Sequence, residues 1–333
     1  MKEKSIKRIL KDFLDYLIKT FNGMAFGLFS TLIVGTIINT LGELLNFAFF
    51  QELATLLKNL TGVGIGIGIA WSLKLDGLRL IAAGIAGGIA SNLKIGDPMV
   101  EFLTVIIAIE LLNLIFRRKT FLDIILIPLT SSIIAYGCFL LLNKPVSEMM
   151  RAIGEFIKWA TTAQPFFMGI IIAVLMGMLL TAPISSAAIA IAIGLDGLAG
   201  GAAVVGCSVQ MLGFAVMSRK DNKFGTVISV AFGTSMLQFK NILKKPLIWL
   251  PTIIVSAILG PLATLVFNTT CTKEGSGMGT SGLVGQIGTF YSMGKDAWLS
   301  ILILQIIFPI LLVWILDALF RKKGWIKTGD LKI

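Results

Sequence analysis

The sequence predicts an all-α, polytopic integral membrane protein with about ten membrane segments, including broken or re-entrant helices, arranged as two tandem structural repeats. Its 333 residues are 56% hydrophobic and only 14% charged, and their mean hydropathy is +0.90. A soluble domain of this length is much less apolar. Long apolar windows recur along the chain, and the motif Leu-Asp-Gly-Leu interrupts two of the apolar regions. These observations together predict the fold class.

Apolar windows define the predicted membrane segments. Those of about 17–22 residues are long enough for a helix to cross a ~30 Å hydrocarbon core. They lie near residues 24–42, 99–116, 121–142, 165–182, 197–217, 247–267 and 298–319. The shorter windows have to be tilted, re-entrant or paired half-helices, and they lie near residues 61–73, 79–91, 184–194 and 225–239.

The chain divides into an N-terminal amphipathic helix, residues 1–20, and a membrane domain, residues 21–333. The apolar side chains of the first segment share one helical face among lysines, which is typical of a helix on the cytoplasmic membrane surface. In the membrane domain, hydropathy and glycine placement repeat between residues 24–142 and 165–267. A Gly-rich loop at 275–290 and a last span at 298–319 follow. The loop is either re-entrant, with N–H groups and hydroxyls that can bond a ligand, or a structural connection between the last two spans.

The Gly-Ile alternation in the window 61–73 leaves two interpretations open. By its period of two it reads as a strand, but a lone strand in lipid would leave its backbone groups unpaired. The segment is therefore either a helix packed against its neighbours through glycines or an irregular segment buried inside the protein.

The formal net charge of +11 comes from short clusters of Lys and Arg beside the apolar windows. Such clusters orient a membrane protein, with the cations on the cytoplasmic side, and do not form a duplex-binding face. Nucleic acid is therefore not a predicted partner, whereas the lipid bilayer is. An inverted arrangement of the two repeats would put the clusters 244–245 and 321–323 outside, against this rule, and the sequence leaves the sidedness open. The clusters lie at residues 2–11, 117–119, 219–223, 244–245 and 321–323.

The sequence contains no His, and its three Cys are scattered. This composition excludes a phosphohistidine, a Ser-His-Asp triad and the usual zinc ligand sets. No nucleophile is paired with a base, so the sequence predicts no catalytic residue, no metal and no cofactor. An enzymatic role of the chain by itself is the least supported interpretation.

Acidic residues within apolar regions are candidates for function, because a carboxylate is costly in hydrocarbon. Asp76 and Asp196 belong to the two Leu-Asp-Gly-Leu motifs. Asp76 is also placed to cap a helix that starts at Leu78, so a cap alone and a cap with a substrate or ion role both remain open. Glu110 and Asn113 share one face of a helix, where they need a partner or a cavity.

Polar residues at the breaks between apolar segments complete the candidate site. Broken helices are tolerated where their free backbone groups line a cavity, and such groups bind hydroxyl-rich or ionic ligands. The Gly-rich run 275–290 has no Gly-Lys-Ser/Thr ending and so is not a P-loop. The candidate substrate-binding residues are Asp76, Glu110, Asn113, Thr181, Ser185, Asp196, Gln210, Gln238, Thr280, Ser281 and Gln286.

Four segments carry a family resemblance. They read TAPISSAAIA (181–190), GLDGLAGGAA (194–203), LKKPLIWLPT (243–252) and GMGTSGLVGQIGTF (277–290). The chain resembles the PfoR-type membrane proteins, which are grouped with the enzyme IIC (EIIC) components of the bacterial sugar phosphotransferase system.

The resemblance implies a multi-pass sugar permease subunit of the bacterial plasma membrane. Such a subunit binds and translocates a carbohydrate, while separate IIA and IIB proteins deliver the phosphoryl group, and it is typically a homodimer. Better-known sugar EIIC proteins use His and Glu near the sugar, and this chain has no His.

Three functions remain open from the sequence. The first is the transport of a sugar or small polar solute as an EIIC-type permease. The second is an ion-coupled secondary transporter, in which Asp76, Asp196 and Glu110 would be the coupling acids. The third is a membrane sensor that regulates gene expression through a partner protein.

Overall fold

The structure is a computed structural model that describes residues 2–93, 98–118 and 120–333. The side chains of residues 2–11, 44, 92, 93, 188 and 192 are outside the described set, as is Lys119. The predicted apolar face of the N-terminal segment thus lies partly outside the described residues.

Every regular element of the described chain is helical, which confirms the all-α prediction for that part. The α-helices are α1 (Lys2–Leu28), α2 (Val34–Leu45), α3 (Ala48–Asn59), α4 (Thr61–Ser72), α5 (Gly77–Leu93), α6 (Pro98–Ile115), α7 (Asp123–Ala160), α8 (Pro165–Thr181), α9 (Ser186–Ile193), α10 (Gly197–Ser218), α11 (Phe224–Phe232), α12 (Phe239–Lys244), α13 (Leu250–Leu265), α14 (Lys273–Ser276), α15 (Val284–Met293), α16 (Ala297–Ser300) and α17 (Phe308–Lys322). Tighter 3₁₀ turns occur at Ser235–Gln238, Pro246–Trp249, Ser281–Leu283 and Gly294–Asp296, and π-helical turns at Phe29–Ile33 and Ile301–Ile307.

Six helical stretches of the described chain are long and apolar enough to cross a membrane. A seventh forms if α3 and α4, which are bent by 51°, count as one span. The chain is therefore polytopic, whereas the finer predictions of ten segments and two tandem repeats are not confirmed. The six are Asp12–Glu43, Pro98–Ile115, Asp123–Ala160, Gly197–Ser218, Pro246–Leu265 and Ser281–Lys322.

The helices group into two compact units. The first unit contains the chain up to Leu32 together with Thr55–Val146. The second contains Ile33–Ala54 together with Ser147–Ile333.

In the first unit, α4 lies between α1 and α5 and packs against both through glycines. Gly64 and Gly68 meet the backbone of α1, whereas Gly62 and Gly66 meet that of α5. A Cβ added to Gly66 would lie only 2.1 Å from the carbonyl oxygen of Ala83. The Gly-Ile alternation is therefore that of a helix with two close-packed faces, because residues i and i+4 share a face.

The second unit is built around α10, which is buried along most of its length. Glycines again set the helix spacing. A Cβ on Gly206 would lie 1.9 Å from the carbonyl oxygen of Ala173 in α8, and one on Gly260 of α13 would lie 2.1 Å from that of Gly169. Close backbone approach of this kind packs membrane helices in which the hydrophobic effect contributes little.

Residues 324–333, here called the docked segment, fold back onto the end of α10 and α12. Lys245 Nζ lies 2.6 Å from Asp330 Oδ2. Burial by itself raises the pKa of Asp330, but the hydrogen bonds of Lys245 Nζ and of the Lys327 amide, with the Lys245 charge, outweigh it. The pKa of Asp330 lies below its ordinary value, so this carboxylate is ionised at neutral pH.

Three basic clusters meet at this end of the second unit. Arg321 Nη2 donates to the carbonyl oxygen of Met217 at 2.9 Å, and Asn222 Nδ2 donates to that of Leu331 at 2.7 Å. With the Lys245 pair, these contacts bring residues 219–223, 244–245 and 321–323 together. The positive-inside rule then favours a cytoplasmic location for this end.

The close packing of α4 predicts that a methyl group added to one of its packed glycines destabilises the protein. We expect Gly66→Ala to destabilise the protein by about 1–3 kcal/mol, because the clash outweighs the ~1 kcal/mol gain in helix propensity. A Cβ on Gly77 would meet no described atom within 4 Å, so Gly77→Ala is the matched control. Melting temperatures in detergent measure both. Equal melting temperatures for the two variants would contradict this account of α4.

The shared basic end predicts the membrane sidedness. Lys327 and Lys295 are both exposed, and the helix between them, residues 297–322, is ~39 Å long at ~1.5 Å per residue. We expect a thiol reagent that cannot cross the membrane to label Lys295→Cys in intact cells and Lys327→Cys only after permeabilisation. The three native Cys are buried, which keeps the background low. Labelling of Lys327→Cys in intact cells would contradict the assignment.

Candidate functional site

Two polar side chains lie near the middle of α10. Ser208 and Gln210 are both fully buried, at 0% exposure. Gln210 lies ~13 Å along the helix axis from Arg219, the first cation after α10, which is close to half of a ~30 Å hydrocarbon core. The two side chains are about 200° apart around the helix, so they contact different segments of the protein.

Gln210 is the centre of a buried hydrogen-bond cluster, here called the Gln210 network. Its Oε1 accepts from Thr252 Oγ1 at 3.0 Å, from Trp249 Nε1 at 3.0 Å and from Thr181 Oγ1 at 3.3 Å. Thr181 Oγ1 also lies 2.8 Å from Ser235 Oγ. Apart from the partly buried Trp249, the members are fully buried.

Three members of the network come from helix interruptions. Thr181 is the last residue of α8, just before the break that precedes α9. Ser235 opens the 3₁₀ turn that follows the end of α11, and Trp249 closes the 3₁₀ turn before α13. Interrupted helices inside a membrane protein are tolerated where they enclose a polar site.

One hydrogen-bonding position of the network is unused. Gln210 Nε2 is buried and makes no hydrogen bond within the described part of the chain. Leaving such a donor unsatisfied costs about 1–3 kcal/mol. The amide is therefore available to an acceptor on a ligand.

A second polar network lies on the Ser208 side of α10. Gln286 Nε2 donates to Gln305 Oε1 at 3.0 Å and reaches Ser208 Oγ at 3.5 Å. Gln305 Nε2 donates to Thr289 Oγ1 at 2.8 Å. Together these bonds tie the Gly-rich segment and the last span to α10.

Residues 275–290 form a buried segment of short helical turns against α10. Gly279 has a φ of +53°, and a Cβ there would lie 2.6 Å from the carbonyl carbon of Cys207, so only glycine fits. Thr280 Oγ1 donates to the carbonyl oxygen of Ala231, and Ser281 Oγ to that of Gly233 at 2.8 Å. These hydroxyls satisfy backbone carbonyls at the end of α11.

A cavity of about 510 Å³ lies between α10, α11, the Gly-rich segment and the last span. Thr280 and Gln286 line its wall, and Gln286 Oε1 makes no hydrogen bond among the described residues. Most of the lining is apolar with a few polar groups, a composition that is common in pockets for small molecules. The lining residues are Leu212, Ala215, Val216, Arg219, Asn222, Phe224, Val227, Ile228, Ala231, Phe232, Thr280, Leu283, Gln286, Ile306 and Ile310.

Three other predicted residues of the second unit lie away from the Gln210 cluster. Gln238 Nε2 donates to the carbonyl oxygen of Leu331 in the docked segment at 3.0 Å. Ser185 is partly buried in the break between α8 and α9. Asp196 is exposed at the start of α10, ~21 Å along the helix from Gln210.

The predicted residues of the first unit make hydrogen bonds within that unit. Asp76 is exposed and its Oδ1 accepts from the Arg79 amide at 3.3 Å, which is a helix-capping contact. Glu110 Oε1 accepts from the Tyr16 hydroxyl at 2.6 Å. Asn113 Oδ1 accepts from Arg79 Nη1 at 2.5 Å.

A comparison with protein families matches residues 18–333 to the family described as "Phosphotransferase system, EIIC". This match covers nearly the whole chain. The chain belongs to the phosphotransferase system EIIC family. EIIC components are the membrane permease parts of this system, which bind a sugar and work with IIA and IIB phosphotransfer proteins. Comparisons with curated proteins and with solved structures find no match.

The EIIC assignment confirms the broader family inferred from the sequence motifs, but the PfoR-type subgroup is not confirmed. It also agrees with the polytopic membrane character of the chain. None of the 333 residues is a His, so none of them can carry the phosphoryl group as a phosphohistidine.

Sequence reasoning missed three members of the Gln210 network, namely Ser235, Trp249 and Thr252. Ser235 follows a Gly-Thr pair inside a short apolar window, and prolines at 246 and 251 flank Trp249. These break signals were available in the sequence. That they converge on Gln210 depends on tertiary packing.

Proposed function

We propose that this EIIC chain is the sugar-translocating subunit of a phosphotransferase system in the bacterial plasma membrane, with the Gln210 network as its sugar site. The observation that carries the proposal is the convergence of three helix interruptions on one buried network near the middle of α10, where Thr181 and Trp249 bond Gln210 and Ser235 bonds Thr181. Transporters built from broken helices bind their substrate near the bilayer midplane.

The chemistry of the network suits a polyhydroxylated ligand. Gln, Thr and Ser side chains both donate and accept hydrogen bonds, as sugar hydroxyls do. Gln210 Nε2 provides a free donor, and the hydroxyls of Thr181, Ser235 and Thr252 can exchange their present partners for a sugar hydroxyl. The indole of Trp249 supplies an apolar surface with a polar edge.

Binding and release follow from the same bonds. In the present state the network bonds join the ends of α8, α11 and α13 around α10. A sugar that takes over these bonds loosens the contacts between the helix ends, which opens a path toward the basic end. There the sugar hydroxyl oxygen attacks the phosphorus of a phosphorylated IIB protein. The bond between the phosphoryl group and the IIB side chain breaks, and the hydroxyl proton passes to the IIB side chain that leaves.

The other candidate residues have different roles in this proposal. Thr280 and Gln286 line the cavity on the other face of α10, whereas Ser281 and Gln238 bond backbone carbonyls of neighbouring segments. Ser185 lies in the same break as Thr181. Family membership favours this permease role over a membrane sensor. It also favours it over an ion-coupled transporter, in which Asp76, Asp196 and Glu110 would be the coupling acids.

The finer assignments are inferred from the sequence. They are the PfoR-type subgroup, a homodimer, about ten membrane segments and two tandem repeats. The repeat is supported by the order helix, Leu-Asp-Gly-Leu, helix, which occurs both in α4–α5 and in α9–α10.

The sugar site is tested by changing Gln210. We expect Gln210→Leu to weaken sugar binding at least ~10-fold, since it removes an acceptor of three hydrogen bonds and a free donor. Binding is measured on protein in liposomes with a panel of radiolabelled hexoses and hexitols, using the sugar that binds the wild type most tightly.

The matched control is Ser256→Ala. Ser256 is buried on α13 one turn after Thr252, and its hydroxyl has no hydrogen-bond partner among the described residues. We expect this variant to bind the sugar as the wild type does. If Gln210→Leu and Ser256→Ala bind equally well, the Gln210 network is not the sugar site.

A further inference from the structure

The docked segment is fixed to the second unit through its backbone. The carbonyl oxygen of Leu331 accepts from Asn222 Nδ2 at 2.7 Å and from Gln238 Nε2 at 3.0 Å. The Leu331 side chain is 0% exposed, and that of Ile326 is 1% exposed. The segment is therefore packed as part of the unit.

Acidic and amide side chains of the unit complete the docking. Asp221 Oδ1 accepts from the Gly329 amide at 2.8 Å, and its Oδ2 accepts from the Leu331 amide at 3.2 Å. Asn241 Nδ2 donates to the carbonyl oxygen of Lys332 at 3.1 Å and to Gln238 Oε1 at 2.7 Å. Gln238 is thus held by both of its amide atoms.

Gln238 connects the docked segment to the Gln210 network within one short element. It is the last residue of the 3₁₀ turn Ser235–Gln238, and Ser235 is the first. Ser235 Oγ lies 2.8 Å from Thr181 Oγ1, which in turn donates to Gln210 Oε1. A four-residue 3₁₀ turn has weak internal hydrogen bonds, so its position is set by its contacts at the two ends.

We propose that the docked segment positions the sugar site: by bonding Gln238 it holds the 3₁₀ turn in the register that brings Ser235 to Thr181. This inference rests on the proposed function for its effect on sugar binding, but the mechanical link stands on the hydrogen bonds alone. Gln238 is a positioning residue, since it acts through Ser235. Release of the segment moves Ser235 away from Thr181 and weakens sugar binding from the basic end of the unit.

The link is tested with two variants that release the segment in different ways. Leu331→Asp puts a charge into a fully buried position. Gln238→Glu replaces the donor to the Leu331 carbonyl with an acceptor and keeps the oxygen that Asn241 bonds. Lys332→Ala is the control, because it changes only an exposed side chain of the same segment.

Hydrogen exchange of the full-length protein in lipid nanodiscs gives the first readout. We expect both release variants to exchange at least ~10-fold faster than the wild type at residues 234–238 and at the end of α8, a loss on the scale of one hydrogen bond. The control keeps wild-type exchange. If the segment itself exchanges faster while residues 234–238 and α8 remain protected, the proposal is overturned, because the segment then docks without positioning the turn.

Sugar affinity gives the second readout and separates this inference from the proposed function. With the same hexose panel in liposomes, we expect the dissociation constant of both release variants to rise about 10-fold. Faster exchange together with unchanged affinity in the release variants and in Gln210→Leu would leave the mechanical link standing and overturn the sugar site. Unchanged affinity in the release variants alone would overturn the positioning role.

Discussion

A polar group inside the bilayer has to find its hydrogen bonds within the protein, and this constraint organises the second unit. Interruptions at the end of α8, after α11 and before α13 leave polar side chains inside the protein. Thr181 and Trp249 bond Gln210 of α10, a helix that is buried along most of its length, and Ser235 bonds Thr181. In water, solvent would hydrogen-bond the polar groups at these interruptions, and those groups would not need to meet at one residue. Here the need for internal partners produces a compact polar site.

Glycine supplies the second constraint, because hydrogen bonds between helices require close backbones. The approach of Gly206 to α8 and of Gly260 to the same helix places Thr181 and Thr252 on either side of Gln210. The Gly-rich segment 275–290 uses its glycines in the same way to reach α10, where its hydroxyls satisfy the carbonyls at the end of α11. Function and packing thus depend on the same small residues.

Much of the architecture could be predicted from the sequence, because hydropathy over a helix length is a local property. The windows near 99–116, 197–217 and 247–267 correspond closely to α6, α10 and α13. The Gly-Ile alternation in the window 61–73 does not distinguish a helix from a strand, because a helix with two glycine faces shows the same period of two in its sequence. The count of about ten membrane segments is not confirmed, because hydropathy alone does not decide whether a short apolar helix crosses the membrane.

The site was only partly predictable, because its members are distant in sequence. Thr181 and Gln210 stood out as polar residues in apolar runs, but Trp249 and Thr252 become relevant only once α13 lies against α10. Gln238 looked like a ligand-binding residue, yet its partner Leu331 lies 93 positions away. No local sequence pattern predicts such a contact. The gathering of the basic clusters 219–223, 244–245 and 321–323 at one end of the second unit likewise depends on tertiary packing.

The central claim is that the sugar lies where the interrupted helices meet. The most direct measurement is a cryo-electron microscopy structure of the protein in lipid nanodiscs with a saturating sugar. The account predicts sugar density in hydrogen-bond contact with Gln210 and Thr181 and against the indole of Trp249. Density for the sugar at a site that touches none of these residues, with the Gln210 bonds unchanged, would contradict it.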